Sequence, residues 1–183
     1  MRLFFAVELP RDVQARLAGI GVADASTDYR WVAPELLHVT LAFLGEQPAE
    51  RLDVLRRVAD EAADASARGV LRLGSPGVFG SPRAPRVMYV GLDGDLAALA
   101  TLQNHLDTGL RAAGFRLEER PFRPHITLAR RRASARGGAP RGWPPDHLSH
   151  DAFSMDHVML FESRLSPRGA SYVPLFQSSL TSN

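Results

Sequence analysis

Cysteine is absent from the 183-residue chain, which excludes disulfides, thiolate nucleophiles and cysteine-ligated zinc. Lysine is absent too: all 22 basic residues are arginine. The chain therefore has no residue for a Schiff base, a lysyl-adenylate or a lysine-bearing phosphate loop. No stretch reaches the roughly 20 apolar residues that a membrane helix needs. The apolar run at residues 3–7 is too short for a signal-peptide core and leads at once into Glu8, Arg11 and Asp12. A soluble cytoplasmic protein with no membrane partner is expected. A large charge of one sign is also missing, since the net charge is +2. The pI near 9.6 reflects the high pKa of arginine, a bias that suits an anionic partner without requiring one.

What is present suffices for a core: 45% of residues are hydrophobic and 23% charged, an ordinary globular balance. The length fits one domain over residues 1–183, built of two lobes. Residues 3–9 read as a buried strand. Pro10-Arg11-Asp12 opens a helix with Val13, Leu17 and Ile20 on one face, which Gly19 and Gly21 help to end. Strands are expected at 29–32, 36–44, 70–73, 87–92, 153–161 and 172–176. Helices are expected at 48–67, with Leu52, Leu55, Val58 and Ala62 as its apolar stripe, and at 96–113, capped by Gly114. Gly, Pro and Ser between residues 74 and 85 suggest a loop, and so does the Arg/Gly/Ala/Pro-rich stretch 132–147.

One word occurs twice. His38-Val39-Thr40-Leu41-Ala42 returns as His125-Ile126-Thr127-Leu128-Ala129. With 6 histidines and 6 threonines in the chain, chance gives roughly 0.2 His-x-Thr triplets. The copies lie about half the chain apart, which points to two similar lobes rather than a tandem array. On a strand, residues i and i+2 share a face. His38 and Thr40 then point the same way, about 6.7 Å apart along the strand, and His125 and Thr127 do likewise. Val39, Leu41, Ile126 and Leu128 can anchor the opposite face.

If the lobes face each other, two imidazoles and two hydroxyls line one cleft. Phosphodiester hydrolysis needs a base to activate water and an acid to protonate the leaving oxygen, on opposite sides of phosphorus. Two opposed histidines meet that geometry, each role contributing roughly 10²–10⁴-fold, and an unperturbed imidazole, with a pKa near 6.5, can take either role near neutral pH. The threonine hydroxyls can bond non-bridging oxygens, and an arginine can balance developing charge. The near-symmetry of the motifs leaves open which histidine is acid and which is base.

The paired motifs resemble the HxTx pair of the 2H phosphoesterase superfamily. The likeness is nearest to its bacterial and archaeal RNA 2′,3′-cyclic phosphodiesterases, historically called 2′-5′ RNA ligases. It extends along the chain through residues 2–7, Leu41-Ala42-Phe43-Leu44-Gly45, residues 121–130, Ser163-x-Leu165 and Gly169-x-x-Tyr172. The resemblance implies a bilobal, pseudo-symmetric α+β fold, with two mostly antiparallel sheets facing a central cleft and helices outside. It implies no metal and no cofactor. The implied reaction opens the 2′,3′-cyclic phosphate end of RNA, tRNA fragments among such ends, to a 2′-phosphomonoester. Its reversal with a 5′-hydroxyl would give 2′-5′ ligation, and a monomer is expected. His38 is then the proton donor and His125 the proton acceptor, with Thr40, Thr127 and Arg130 on the phosphate. Strict alternation would turn Arg130 away from His125, so a bulge or a strand end must redirect it. Phe43 holds the matching place in the first copy and is a candidate to stack on a base; an ordinary core phenylalanine is the competing reading.

Rival functions are a 2H enzyme acting on a small cyclic nucleotide or ADP-ribose cyclic phosphate, and a nucleotide- or RNA-binding module without turnover. Asp146-His147 and His150-Asp151 read as solvated loop, His105 as a surface residue and His157 as structural. Arg130, Arg131, Arg132, Arg136 and Arg141 form a basic stretch that could guide RNA or merely be solvated. Trp143 is a possible cap on the cleft.

Overall fold

The computed structural model describes residues 1–22, 28–140, 142–145, 151–166 and 169–182. In chain order these form β1 (Arg2–Glu8), α1 (Arg11–Val22), β2 (Tyr29–Trp31), β3 (His38–Glu46), α2 (Leu52–Asp64), β4 (Gly69–Ser81), β5 (Ala84–Gly94), α3 (Leu96–Ala112), β6 (His125–Arg131), β7 (Ala152–Met155), β8 (His157–Ser166) and β9 (Gly169–Ser179). Both motifs open a strand, β3 and β6, as their alternating apolar residues require. Val39 and Ile126 are fully buried, whereas His38, Thr40, His125 and Thr127 on the other face are half-buried.

Hydrogen bonding joins these strands in the order β7-β4-β5-β6-β3-β1-β8-β9, with β2 also paired to β6. The strand pairs are antiparallel. The two sheets foreseen from the repeat are thus halves of one: a single residue pair, Val39↔Ile126, joins β3 to β6. One face of both halves packs on the helices, where Leu55, Val58, Leu99, Leu102, Leu106 and Leu110 meet Leu3, Phe5, Val39, Leu41, Ile126 and Leu128. Each such side chain contributes about 1.5–3 kcal/mol by leaving water. The opposite face carries the polar residues of both motifs.

Asp156 alone separates β7 from β8, although six strand-to-strand steps lie between them in the sheet. In a flat sheet that distance would be about 29 Å, while two Cα steps cover at most about 7.6 Å. The sheet must therefore curl until its β7 end meets β8.

Several sequence expectations need correction. Residues 74–81 form no loop but continue β4 into a long hairpin with β5. Among the described residues no strand pairs with the outer side of β4 beyond Arg72, so Pro76, which lacks an N–H, is tolerated there. The strand foreseen at 153–161 is two strands, because β7 pairs with β4 and β8 with β1. Gly19 lies within α1 rather than ending it. The helix foreseen from residue 48 begins at Leu52, after a 3₁₀ turn at Ala49–Arg51. At the end of α3, Gly114 adopts a φ of 81°. Phe115 N–H then reaches back to the Leu110 carbonyl at 3.0 Å, as a C-terminal glycine cap allows.

Candidate active site

The two histidines are held alike. The Nδ1–H of His38 donates to the carbonyl of Leu36 at 2.7 Å, and that of His125 donates to the carbonyl of Arg123 at 2.6 Å. Each acceptor lies two residues before its histidine. A carbonyl can only accept, so Nδ1 carries the proton and Nε2 is left for chemistry. Aromatic rings enclose both imidazoles. Phe4 and Tyr172 approach His38 at centroid distances of 4.9 and 5.3 Å, and Phe79 and Tyr89 approach His125 at 5.0 and 5.4 Å.

The copies then diverge. His38 Nε2 lies 2.9 Å from Thr40 Oγ1, and among the described residues no such bond joins His125 to Thr127. Burial pushes the pKa of His38 below the usual histidine value, against the opposing effect of the Leu36 carbonyl. The positive charge of Arg130, and that of His125 whenever it is protonated, add to the depression. Burial raises the phenol pKa of Tyr172, which the nearby Arg130 and Arg2 partly offset.

The bulge that Arg130 requires is present. In the β5–β6 ladder Met88 faces Ala129 and Tyr89 faces Thr127, which leaves Leu128 as the extra residue. Leu128 and Ala129 are consecutively buried, and alternation resumes with Arg130 exposed. The first copy repeats the irregularity: Phe5 faces Ala42 and Ala6 faces Thr40, leaving Leu41 over. An extra residue reverses every later side chain. It brings Phe43 out, 51% exposed, which removes the core reading of that residue.

A cleft of about 760 Å³ is lined by Thr40, Phe43, Phe79, Arg86, His125 and Arg130, among others. His38 and Tyr172 line a smaller cavity of about 140 Å³, and His38 is hydrogen-bonded to Thr40, which lines the larger one. Thr127 shares the face of His125 without lining either. The aromatic partners of the histidines carry no local sequence signal, although Tyr172 belongs to the Gly169-x-x-Tyr172 motif. Gly77 held a further signal. A Cβ there would come within 2.5 Å of the Tyr89 ring, so the missing side chain makes room for the tyrosine beside His125.

Other candidates lie elsewhere. His105 is half-buried rather than a surface residue, with Nδ1 3.0 Å from the Ser66 hydroxyl. His157 faces Glu8 across β1 and β8 at 3.2 Å. Trp143 packs near Tyr29, Met88 and Ala129 and does not line the cleft. Arg141, Asp146, His147 and His150 fall outside the described residues. No described helix is long and apolar enough to cross a membrane.

Comparison with known proteins agrees with this geometry. The profile of the 2′-5′ RNA ligase superfamily matches residues 9–140. An RNA 2′,3′-cyclic phosphodiesterase of Thermus thermophilus is 35% identical over 98% of this chain and 90% of its own length. Another, from Geobacillus stearothermophilus, is 32% identical over 88% of this chain; the match spans 52% of that longer relative. A solved structure of a Thermus thermophilus protein superposes with a TM-score of 0.83 at 33% identity, covering 98% of both chains. With two bulged His-x-Thr strands set at the centre of such a fold, the chain belongs to the 2′-5′ RNA ligase superfamily, the 2H phosphoesterases.

Proposed function

We propose that the protein hydrolyses the 2′,3′-cyclic phosphate end of RNA to a 2′-phosphomonoester, with His38 as acid and His125 as base. The observation that carries this reading is the matched pair of imidazoles, each with Nδ1 tied to a carbonyl, so that Nε2 is the nitrogen available for proton transfer, shared in His38 with the Thr40 hydroxyl. Water attacks phosphorus as His125 Nε2 removes its proton. The bond from phosphorus to the 3′ oxygen breaks, and protonated His38 delivers its Nε2 proton to that oxygen. Afterwards His125 is protonated and His38 neutral, and exchange with solvent restores the starting state.

Thr40 has two states in this scheme. Against neutral His38 its hydroxyl must donate to Nε2. Against protonated His38 it accepts instead, until the 3′ oxygen takes over the Nε2 proton, and its own proton is free for a phosphate oxygen. Thr127 and Arg130 take the remaining negative charge, and exposed Phe43 stacks on the terminal base. A 5′-hydroxyl in place of water would yield a 2′-5′ linkage. The substrate class follows the activity named for the relatives, and cleaved tRNA ends are one source of such substrates. We assign the enzyme to the cytoplasm as a single-domain monomer.

The test is incubation of RNA bearing a 2′,3′-cyclic phosphate in excess chelator, with the product phosphate mapped. A 2′-phosphate is expected. A 3′-phosphate, or dependence on added metal, overturns the scheme. His38→Ala and His125→Ala should each lower kcat by about 10²–10⁴-fold.

A further inference from the structure

The arginine-rich loop after β6 is fixed in place, and main-chain atoms do most of the fixing. The Asp28 carboxylate accepts the backbone N–H groups of Arg136 and Gly137 at 3.2 and 2.8 Å. The Asp28 carbonyl accepts that of Arg132 at 2.8 Å. Farther on, Ala139 N–H donates to the carbonyl of Arg83, at the turn of the β4–β5 hairpin, at 3.1 Å. The loop thus runs from the end of β6 to that hairpin. The side chains of Arg83, Arg132 and Arg136 take no part in these bonds. All three residues are exposed, and among the described residues none has a carboxylate partner. Arg86, Arg130 and Arg131 continue the series into the cleft. The acidic residues of the cleft wall, Asp107 and Glu118, are already paired with Arg111 and Arg120. On the opposite flank, the small cavity beside His38 is lined by Glu8 and Glu35. A polyanion leaving the cleft meets carboxylates on one side and unpaired guanidinium groups on the other.

We infer that the clipped loop and the β4–β5 turn form a binding strip for the phosphates of the RNA strand leading into the cyclic end, with Arg83, Arg132 and Arg136 as its outer contacts. This rests on the reading of the site as a cyclic phosphodiesterase and makes a polymer, not a mononucleotide, the preferred substrate. Contacts of this kind release counterions, with a slope of about −0.7 per phosphate for single strands.

The test is binding of a fluorescent single-stranded RNA ending in a 2′-phosphate, titrated by anisotropy across a salt series. Because no turnover is involved, its outcome is separate from that of the catalytic scheme. Replacing Arg83, Arg132 and Arg136 together by Gln should weaken binding about tenfold and lower the salt slope by about 2. Lys at the same positions should keep the slope. Hydrolysis of a 2′,3′-cyclic mononucleotide should be unchanged in both variants. Unaltered RNA affinity and slope in the Gln variant would show a merely solvated face and overturn the strip. Equal loss with Lys would overturn the charge account.

Discussion

At the residue scale the site depends on two imidazoles that share a tether but differ in surroundings. Burial favours neutral His38, so its free-enzyme value lies below that of an unfolded chain. Folding stability linked to it is full above the unfolded value, near pH 6.5, and is lost as pH falls through that value toward the depressed folded one. Urea unfolding should show that loss, and His38→Gln should flatten the acid side of the stability profile. An unchanged profile would contradict the depressed value. In catalysis the sign has a second effect. A bound phosphate anion stabilises the imidazolium, so the alkaline limb of kcat should lie at higher pH than that of kcat/KM. Coincident limbs would remove His38 as the acid. The sequence made these histidines, both threonines and Arg130 legible because a repeat exposes them. It did not reveal the rings packed on them, since Phe4, Phe79, Tyr89 and Tyr172 come from four different strands and no local pattern joins them.

At the scale of elements, the twin bulges decide what enters the cleft. A surplus leucine, Leu41 in one motif strand and Leu128 in the other, lets two adjacent residues face inward, and the next one out is Phe43 in one copy and Arg130 in the other. From sequence, Arg130 could be reconciled with the cleft by a bulge or by a strand end, and the structure uses the bulge. Its partner in the first strand went unforeseen because Leu-Ala-Phe also fits an ordinary core run. The β4–β5 hairpin shows the reverse problem. Gly74, Pro76 and Gly77 signal a turn, yet their use here is an edge strand and a seat for Tyr89. That seat can be tested. Gly77→Ala should push the Tyr89 ring away from His125 and lower kcat by about tenfold with little change in KM; displacements near 1 Å can cost more. Unchanged kcat would mean that Tyr89 does not position the base.

At the scale of the molecule, the single residue between β7 and β8 holds the curl. The chain crosses there from one half of the sheet to the other, and the Asp156 carbonyl is itself bound by Leu180 N–H at 2.8 Å. There is no slack with which the halves could separate. Inserting Gly-Gly-Ser after Asp156 should leave circular dichroism almost unchanged while kcat falls roughly tenfold to a hundredfold, because histidines from opposite halves would lose their fixed separation. Full activity in the insertion variant would show that the core alone sets the cleft width. The clip at Asp28 has a different consequence. A loop fastened through its main chain can exchange its outward side chains without altering its path. Its charge pattern is therefore an adjustable part of the protein, separable from the chemistry proposed for the two histidines.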